Sequence, residues 1–235
     1  MEPLYVEVKK KITQSLIQGE WGPGEAIPSE IELANIYDVS QGTVRKAIDD
    51  LSAESILVRR QGKGTYVATY NEENIQLRFL RLTSQFGLNE KLDNQLISFS
   101  KEKATNKLAK ILNINPSSTI ISVTRILTFN ENPLILDVIK IPAQSFRGLT
   151  PEMIVENNGS MYRMYETDFG VRMLRADEKI LAITANSETA SHLKVQENHP
   201  LLSVERISYT YKNKPLEWRL GLYVTDNHFY RSELD

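Results

Sequence analysis

The fold of the N-terminal part of this 235-residue chain is decided by one stretch, Ser40-Gln41-Gly42-Thr43-Val44-Arg45-Lys46-Ala47-Ile48-Asp49-Asp50-Leu51. Ser40 is of a type that caps helix N-termini, and apolar residues follow at Val44, Ala47, Ile48 and Leu51. At about 100° per residue these apolar side chains share one face of a helix. The stretch therefore predicts an amphipathic helix whose exposed side carries Gly42, Arg45, Lys46 and Asp49, flanked by Gln41 and Thr43.

Two more helices are predicted before this one. Val8, Ile12 and Leu16 recur every fourth residue, and Gly19 can close the helix that they define. Ser29 and Glu32 have the spacing of a capping box, which begins a second helix that ends near Asp38. Two helices joined by a tight turn, the second exposing small and basic residues at its start, are typical of a helix-turn-helix.

A β-hairpin is predicted after the helices. Residues 56–60 and 65–68 are apolar-rich β runs joined by Gln61-Gly62-Lys63-Gly64. The hairpin would lie beside the third helix as a wing with Arg59, Arg60 and Lys63 near its tip. Either its glycines let the backbone approach DNA while Lys63 enters the minor groove, or they only form a turn beside a solvated lysine.

Composition excludes several classes of function. The net charge is -2, so a DNA-binding hypothesis depends on where the basic residues lie. The chain has no Cys and three unclustered His, which argues against a disulfide scaffold, a metal centre or a thiol nucleophile, and no cofactor is predicted. No apolar stretch approaches ~18 residues, and the N-terminus lacks a signal-peptide core. We therefore expect a cytoplasmic protein without a membrane segment.

The second half of the chain reads differently. From about residue 78 onward, long β-type runs alternate with short helices, after a polar stretch that lacks periodicity. We predict an α+β protein with a winged helix-turn-helix domain at 1–69, a linker at 70–77 and a sensor domain at 78–235 with a mainly antiparallel sheet. Two similar hairpins, one beginning at Val123 and the other at Val204, indicate an internal duplication.

Strand parity in the sensor half identifies candidate pocket residues. Near the C-terminus, Trp218, Leu220, Leu222 and Val224 share one face, which we expect to be core; Glu217, Arg219, Gly221, Tyr223 and Thr225 share the other, which could line a pocket. Upstream, Arg125 and Asp137 each interrupt an apolar stripe, and a turn near Glu131 would place them opposite each other. They could form a buried ion pair, contact a ligand, or do both.

The N-terminal motifs resemble the winged helix-turn-helix of the GntR family of transcription factors. The resemblance is carried, in order, by Ile27-Pro28-Ser29-Glu30, Val39-Ser40, Gly42-Thr43-Val44-Arg45-Lys46-Ala47 and Arg60-Gln61-Gly62-Lys63-Gly64-Thr65-Tyr66-Val67. The second half resembles the UTRA sensor domain of the HutC subfamily, whose fold is shared with chorismate lyase. That resemblance is carried by Gly159-Ser160-Met161-Tyr162, Phe169-Gly170-Val171-Arg172, Arg175-Ala176-Asp177-Glu178, Pro200-Leu201-Leu202 and Pro215-Leu216-Glu217.

The resemblance implies a regulator, most simply a repressor, that binds a palindromic operator as a homodimer and responds to a small molecule. The DNA contacts implied are Ser29, Glu30, Ser40, Gln41, Gly42, Thr43, Arg45, Lys46, Arg60, Gly62, Lys63, Gly64 and Thr65. The effector contacts implied are Arg125, Asp137, Ser160, Tyr162, Glu217 and Tyr223. No catalytic residue is predicted.

Four positions depart from the family pattern. Ile31 and Gln41 stand where the family commonly has DNA-contacting arginines, so the resemblance does not imply the usual operator. Leu127 and Val224 stand where phosphosugar sensors have arginines, which favours a sugar- or amine-like effector over a phosphate. Two alternatives stay open: a DNA-binding regulator with a non-functional sensor, and an enzyme similar to chorismate lyase.

Overall fold

A computed structural model describes residues 3–69, 81–86, 92–157 and 160–232. The chain divides into two compact units, Met1–Tyr70 and Asn71–Asp235. The predicted linker, 70–77, lies outside the described residues, and the boundaries 1–69 and 78–235 stay predictions.

In the described part of the first unit, three helices are followed by a hairpin. The helices are α1 (Leu4–Gln18), α2 (Glu30–Tyr37) and α3 (Gln41–Ala53), and the strands are β1 (Leu57–Arg60) and β2 (Gly64–Val67). β1 and β2 pair antiparallel, with Arg60 opposite Gly64. The predicted apolar faces form the core of this unit: Val8, Ile12, Leu16, Val44, Ala47, Ile48 and Leu51 are all buried.

Local signals fix where these helices begin and end. Gly19 ends α1 in the left-handed conformation that glycine adopts without strain. The Ser29 capping box is complete, because its hydroxyl accepts from the Glu32 amide and the Glu32 carboxylate accepts from the Ser29 amide. Asp38, also left-handed, ends α2, and Ser40 caps α3 two residues later. The sequence interpretation of this unit is confirmed element by element.

The second unit is built on a six-stranded antiparallel sheet. Its strands are β4 (Leu92–Lys103), β5 (Thr119–Phe129), β6 (Asn132–Pro142), β7 (Arg175–Thr184), β8 (Pro200–Thr210) and β9 (Lys214–Tyr223), in the order β4-β5-β6-β9-β8-β7. The α-helices among the described residues of this unit are α4 (Asn106–Ile111), α5 (Pro151–Glu156), α6 (Met161–Phe169) and α7 (Ser187–Leu193). β3 (Leu82–Ser84) and β10 (His228–Tyr230) form a separate two-stranded sheet.

The predicted duplication is visible in the order of the elements. β4-α4-β5-β6 and β7-α7-β8-β9 are two β-α-β-β halves, and they meet where β6 pairs with β9. Arg125 on β5 and Arg206 on β8 occupy matching positions in the two halves, and both are buried. The duplication therefore places two buried guanidiniums on the same side of one sheet, each on the second strand from an edge.

The predicted core face of β9 is only partly buried, so that part of the prediction was wrong. Trp218, Leu220 and Leu222, expected to be core, are only half-buried, although Val224 is buried. Glu217, Arg219, Gly221 and Tyr223, on the polar face, are all buried. The reason is that tyrosines of α6 cover the polar face and ion pairs satisfy its charges, so its desolvation is compensated. We call the sheet surface that carries Arg125, Asp137, Glu217 and Arg219 the polar face.

Candidate DNA-binding and effector-binding sites

A concave surface in the first unit brings together residues from α2, α3 and the wing. Its volume is about 410 Å³. It is lined by Ser29, Glu30, Ile31, Gln41, Arg59, Arg60, Gln61, Gly62, Gly64 and Thr65. Seven of the thirteen predicted DNA contacts therefore line one groove, and Arg45 reaches its edge through Glu30.

Glu30 is the hub of this groove. Its Oε2 accepts hydrogen bonds from Gln41 Nε2 at 3.2 Å and from Arg45 Nε at 3.0 Å, and Arg45 Nη2 lies 2.9 Å from the same oxygen. Its Oε1 lies 3.0 Å from Arg59 Nη2, which is also 2.8 Å from Asp49 Oδ1. One carboxylate thus ties together α3 and the wing strand β1.

Electrostatics keep this carboxylate ionised. Partial burial acts to raise the pKa of Glu30, but hydrogen bonds from Arg45 and Gln41 and the charges of Arg45 and Arg59 outweigh it, so the pKa is lowered. The hydrogen bond to Glu30 and its negative charge raise the pKa of Arg45 in turn.

Two predicted contacts, Ser40 and Thr43, take part in capping α3. Ser40 Oγ accepts from the Thr43 amide at 3.2 Å and lies 2.8 Å from Thr43 Oγ1. Gly42 is exposed, and a Cβ added there would meet only Ser40 Oγ, at 3.9 Å. The first turn of α3 therefore presents two hydroxyls and open backbone to solvent.

Aromatic rings support two of the predicted basic contacts. The Arg60 guanidinium lies 4.3 Å from the centre of the Tyr66 ring, and the Lys46 ammonium lies 4.6 Å from that of Tyr5. At the tip of the wing, Gly62 and Gly64 have φ of 71° and 108°, values that favour glycine. Lys63 between them is exposed.

The polar face of the second unit holds a buried cluster of ion pairs. Arg125 and Asp137 lie opposite each other, as predicted, and Arg125 Nε and Nη2 donate to Asp137 Oδ2 at 3.2 and 2.9 Å. Arg219 Nη1 donates to the same oxygen at 3.3 Å. Asp137 therefore joins the two halves of the sheet.

Glu217 is the second hub of the cluster. It accepts from Tyr162 at 2.7 Å and from Tyr165 at 2.9 Å, and Arg219 reaches both of its oxygens. The Tyr162 hydroxyl also lies 3.0 Å from Ser208 Oγ. Burial acts to raise the pKa of Glu217, but the charge and hydrogen bonds of Arg219 and the tyrosine hydroxyls lower it overall.

Glu178 is the third hub and links the cluster to the small sheet. Arg206 Nε donates to it at 2.6 Å and the Tyr230 hydroxyl at 2.5 Å, while Arg81 Nη1 lies 3.5 Å away. Burial and the bond to Glu178 raise the pKa of Tyr230 to about 12. Arg81 directly precedes β3.

One acceptor in the cluster is unsatisfied. Asp137 is 1% exposed, and its Oδ1 has no hydrogen-bond partner among the residues that the structure describes. Gly221 lies beside it, where an added Cβ would come 3.1 Å from Oδ1 and 2.5 Å from Tyr223 Cε2. The absence of a side chain at Gly221 therefore leaves Asp137 Oδ1 and Tyr223 next to each other.

The structure brings five of the six predicted effector contacts to the polar face. Arg125, Asp137, Tyr162 and Glu217 are linked through Arg219, and Tyr223 borders Asp137 at Gly221. Ser160 lies at the start of α6, where its amide donates to the Asn157 carbonyl and its own carbonyl accepts from the Met164 amide. These assignments stay predictions.

The sequence analysis placed Arg219 beside Glu217 on the polar side of its strand but did not name it as an effector contact. It missed four further members of the cluster: Arg206, Tyr165, Ser208 and Glu178. One signal could have found Arg206, because the duplication maps it onto Arg125. Tyr165 and Glu178 had no such signal, because their contacts depend on how α6 and the small sheet pack.

The described ranges offer neither a metal site nor a membrane-spanning helix. Within these ranges, no group of three or more His, Asp or Glu residues is placed to hold a metal ion. No helix among the same residues is both long enough and apolar enough to span a membrane.

Two family profiles match the chain, one in each unit. Residues 4–67 match the profile described as bacterial regulatory proteins, gntR family, and residues 87–228 match the UTRA domain. The HutC assignment fits this UTRA type.

Curated relatives are described as transcriptional regulators. The chain is 30% identical over 214 residues to a protein of Escherichia coli K12 described as the fructoselysine utilization operon transcriptional repressor, covering 91% of this chain and 87% of that one. It is 27% identical to the mannosyl-D-glycerate transport/metabolism system repressor MngR of the same organism, over 97% and 94% of the two chains. These names support a role other than that of an enzyme.

A solved structure agrees with the second unit. The ligand-binding domain of a protein described as a GntR-family transcriptional regulator of Bordetella bronchiseptica has 37% identity and a TM-score of 0.65, over 67% of this chain and 98% of that one. PhnF of Mycobacterium smegmatis, at 23% identity and a TM-score of 0.58 over 97% and 99%, shares the fold. The chain therefore belongs to the gntR family of bacterial regulatory proteins and is a DNA-binding transcriptional regulator whose UTRA domain senses a small-molecule effector.

Proposed function

We propose that this regulator is a repressor that binds a palindromic operator as a homodimer in the cytoplasm, and that a small polar effector releases it. The named relatives are repressors, which supports the sign of regulation. A single winged unit can read only one half-site, and two-fold symmetry of the protein is matched by a palindromic site.

On the DNA side, α3 reads bases and the wing and helix caps bind the backbone. Arg45 and Gln41 are suited to guanine and adenine edges in the major groove. Ser40, Thr43 and Arg60 supply hydroxyls and a positive charge for phosphates. Lys63, at the tip of the wing, enters the minor groove. These assignments are supported by the geometry, because residues of α2, α3 and the wing line one groove.

On the effector side, one observation carries the proposal: Asp137 Oδ1, beside Gly221, has no hydrogen-bond partner in the part of the chain that the structure describes. A buried carboxylate oxygen without a donor is costly, so a ligand that donates a hydrogen bond there gains that energy on binding. Hydroxyl and ammonium groups are such donors. We therefore place a sugar- or amine-like effector against Asp137, with Tyr223 beside it.

A phosphate fits the same surroundings less well. Leu127 and Val224, where phosphosugar sensors have arginines, are 2% and 5% exposed and pack in an apolar cluster. The ion-pair cluster on the polar face contains three arginines that face three carboxylates: Arg125 faces Asp137, Arg206 faces Glu178 and Arg219 faces Glu217. Its charges are therefore balanced before any ligand arrives. Two relatives carry sugar derivatives in their names, fructoselysine and mannosyl-D-glycerate, which agrees with a sugar-like class.

The test has a DNA arm and an effector arm. The operator is obtained by selecting binders from a randomised duplex library with the full chain, and symmetric half-sites together with a dimer by light scattering are expected. Asymmetric sites bound by a monomer would contradict the homodimer.

The effector is sought by thermal shift against sugars, amino sugars, phosphosugars and amines. A compound that raises the Tm of the wild type by several degrees, lowers its operator affinity and fails to shift Asp137→Asn is expected. Asp177→Asn, an exposed aspartate of β7, is the control that keeps the shift. No stabilising compound would favour the non-functional sensor, and turnover of chorismate would favour the enzyme.

A further inference from the structure

Glu30 places a negative charge in a groove that is proposed to receive a polyanion. Its side chain is 16% exposed and lies among Gln41, Arg45 and Arg59. A carboxylate there repels phosphates and neutralises cations that would otherwise attract them, so it lowers the affinity for DNA of any sequence. Such a cost calls for a compensating role.

The bonds of Glu30 determine which edge of Arg45 is presented. Arg45 uses Nε and Nη2 to contact Glu30 Oε2. The edge formed by Nη1 and the outer hydrogen of Nη2 then points away from Glu30. That edge is the two-donor fork that matches O6 and N7 of guanine.

The same carboxylate fixes the amide of Gln41. Gln41 Nε2 donates one hydrogen to Glu30 Oε2. The second N–H hydrogen and the amide oxygen remain for a base, and together they are what adenine N7 and N6 require. Both base-reading side chains are therefore held in one orientation before DNA arrives, which reduces the entropy lost on binding.

Arg59 extends this arrangement to the wing. Its Nη2 bridges Glu30 Oε1 and Asp49 Oδ1, at 3.0 and 2.8 Å. The bridge connects β1 with the middle of α3, so the same carboxylate also helps to hold the wing beside the recognition helix.

We infer that Glu30 is a positioning residue for base recognition: it orients Arg45 and Gln41 and, by its charge, suppresses binding to unspecific DNA. The inference rests on the proposed DNA contacts of Arg45. It makes Glu30 a specificity determinant whose loss strengthens DNA binding in general while weakening discrimination.

The test compares Glu30→Gln with Asp49→Asn in the full chain. Each variant replaces one carboxylate that contacts Arg59 by its amide. Glu30 also accepts hydrogen bonds from Arg45 and Gln41, whereas Asp49 acts on Arg45 through its charge alone. For each protein, Kd is measured between 50 and 200 mM salt on a duplex selected from the randomised library and on a scrambled duplex of equal length.

Both variants are expected to bind the scrambled duplex about three- to tenfold more tightly at low salt. The slope of log affinity against log salt concentration should become steeper by about one. Only Glu30→Gln is expected to lose about tenfold in the ratio of selected to scrambled affinity. A repeated selection with this variant should show relaxed preference at the positions read by Arg45.

A specificity ratio of Glu30→Gln within twofold of that of Asp49→Asn would overturn the inference, because Glu30 would then be only a counter-charge. Weaker binding to both duplexes would also overturn it, since that is the result of a structural role. Arg45→Ala distinguishes a failure of this inference from a failure of the proposed function. If Arg45→Ala leaves the affinity for the selected duplex unchanged, Arg45 does not contact DNA and the proposed DNA contacts are wrong.

Discussion

At the scale of single residues, the second unit depends on charges buried in pairs. Arg125, Asp137 and Arg219 are 2%, 1% and 6% exposed, so none of them is solvated on its own. Removing one member of such a group leaves the others desolvated and uncompensated, and that costs more than the pair contributes when intact.

Asp137→Asn is therefore expected to lower the free energy of unfolding by about 3 kcal/mol. The amide keeps the shape of the side chain but leaves two guanidiniums facing a neutral group. Urea denaturation of the full chain measures the change, and Asp177→Asn, being exposed, should stay within about 0.5 kcal/mol of wild type. Equal stability of the two variants would contradict the ion-pair cluster.

Glu217 makes stability depend on acid pH. Its pKa is lowered below the unfolded value of 4.5, so the folded state releases the proton more readily than the unfolded state does. The stability from this group is present above pH 4.5 and is lost as the pH falls through the lower folded pKa. Glu217→Gln should lower stability at pH 7 and flatten its loss between about pH 5 and 3. The free energy of unfolding is measured by urea denaturation at several pH values. The same loss of stability with falling pH in wild type and Glu217→Gln would contradict this prediction.

At the scale of elements, the sequence predicted what local signals determine. The caps at Ser29 and Ser40, the left-handed ends at Gly19 and Asp38 and the hairpin glycines act over a few residues, so they could be read directly. Register in the Arg125–Asp137 hairpin followed from its short turn.

The faces of β9 could not be predicted in the same way, because burial there depends on distant partners. Glu217 and Arg219 are hidden since α6, about 50 residues earlier, covers them with two tyrosine hydroxyls. The alternation of side chains along β9 correctly separated its two faces. The polar character of one face, however, did not reveal that α6 covers it. The clustering of Arg206 and Glu178 arises likewise from pairing between strands.

Ser40→Ala tests whether an element signal is also a DNA contact. The hydroxyl caps α3, so its loss should lower the unfolding free energy by about 1 kcal/mol. Ser40→Asn keeps a capping side chain and should restore most of that stability. If Ser40 also contacts phosphate, both variants should weaken binding to selected and scrambled duplexes alike; affinity restored by asparagine would assign Ser40 to the cap alone.

At the scale of the whole molecule, an effector signal needs a route from the polar face to the chain that leads to the DNA-binding unit. Glu178 offers one, because it holds Arg206 of the cluster, Tyr230 of β10 and Arg81, the residue before β3. Residue 81 follows the predicted linker by only a few positions. An effector that shifts Arg206 changes a bond that Glu178 shares with this segment.

Glu178→Gln is therefore expected to retain effector binding within about threefold while losing most of the effect of the effector on operator affinity. Coupling between sites in such proteins is typically about 1–3 kcal/mol, roughly 5–150-fold, and is obtained as the ratio of operator Kd with and without saturating effector.

Glu205→Gln is the matched control: Glu205 lies one residue from Arg206 on β8, but its carboxylate accepts from Trp218 on the opposite face of the sheet. Because the coupling is reciprocal, operator DNA should also weaken effector binding to the control by the same factor but not to Glu178→Gln. Full coupling in Glu178→Gln would mean that the signal leaves the polar face by another route.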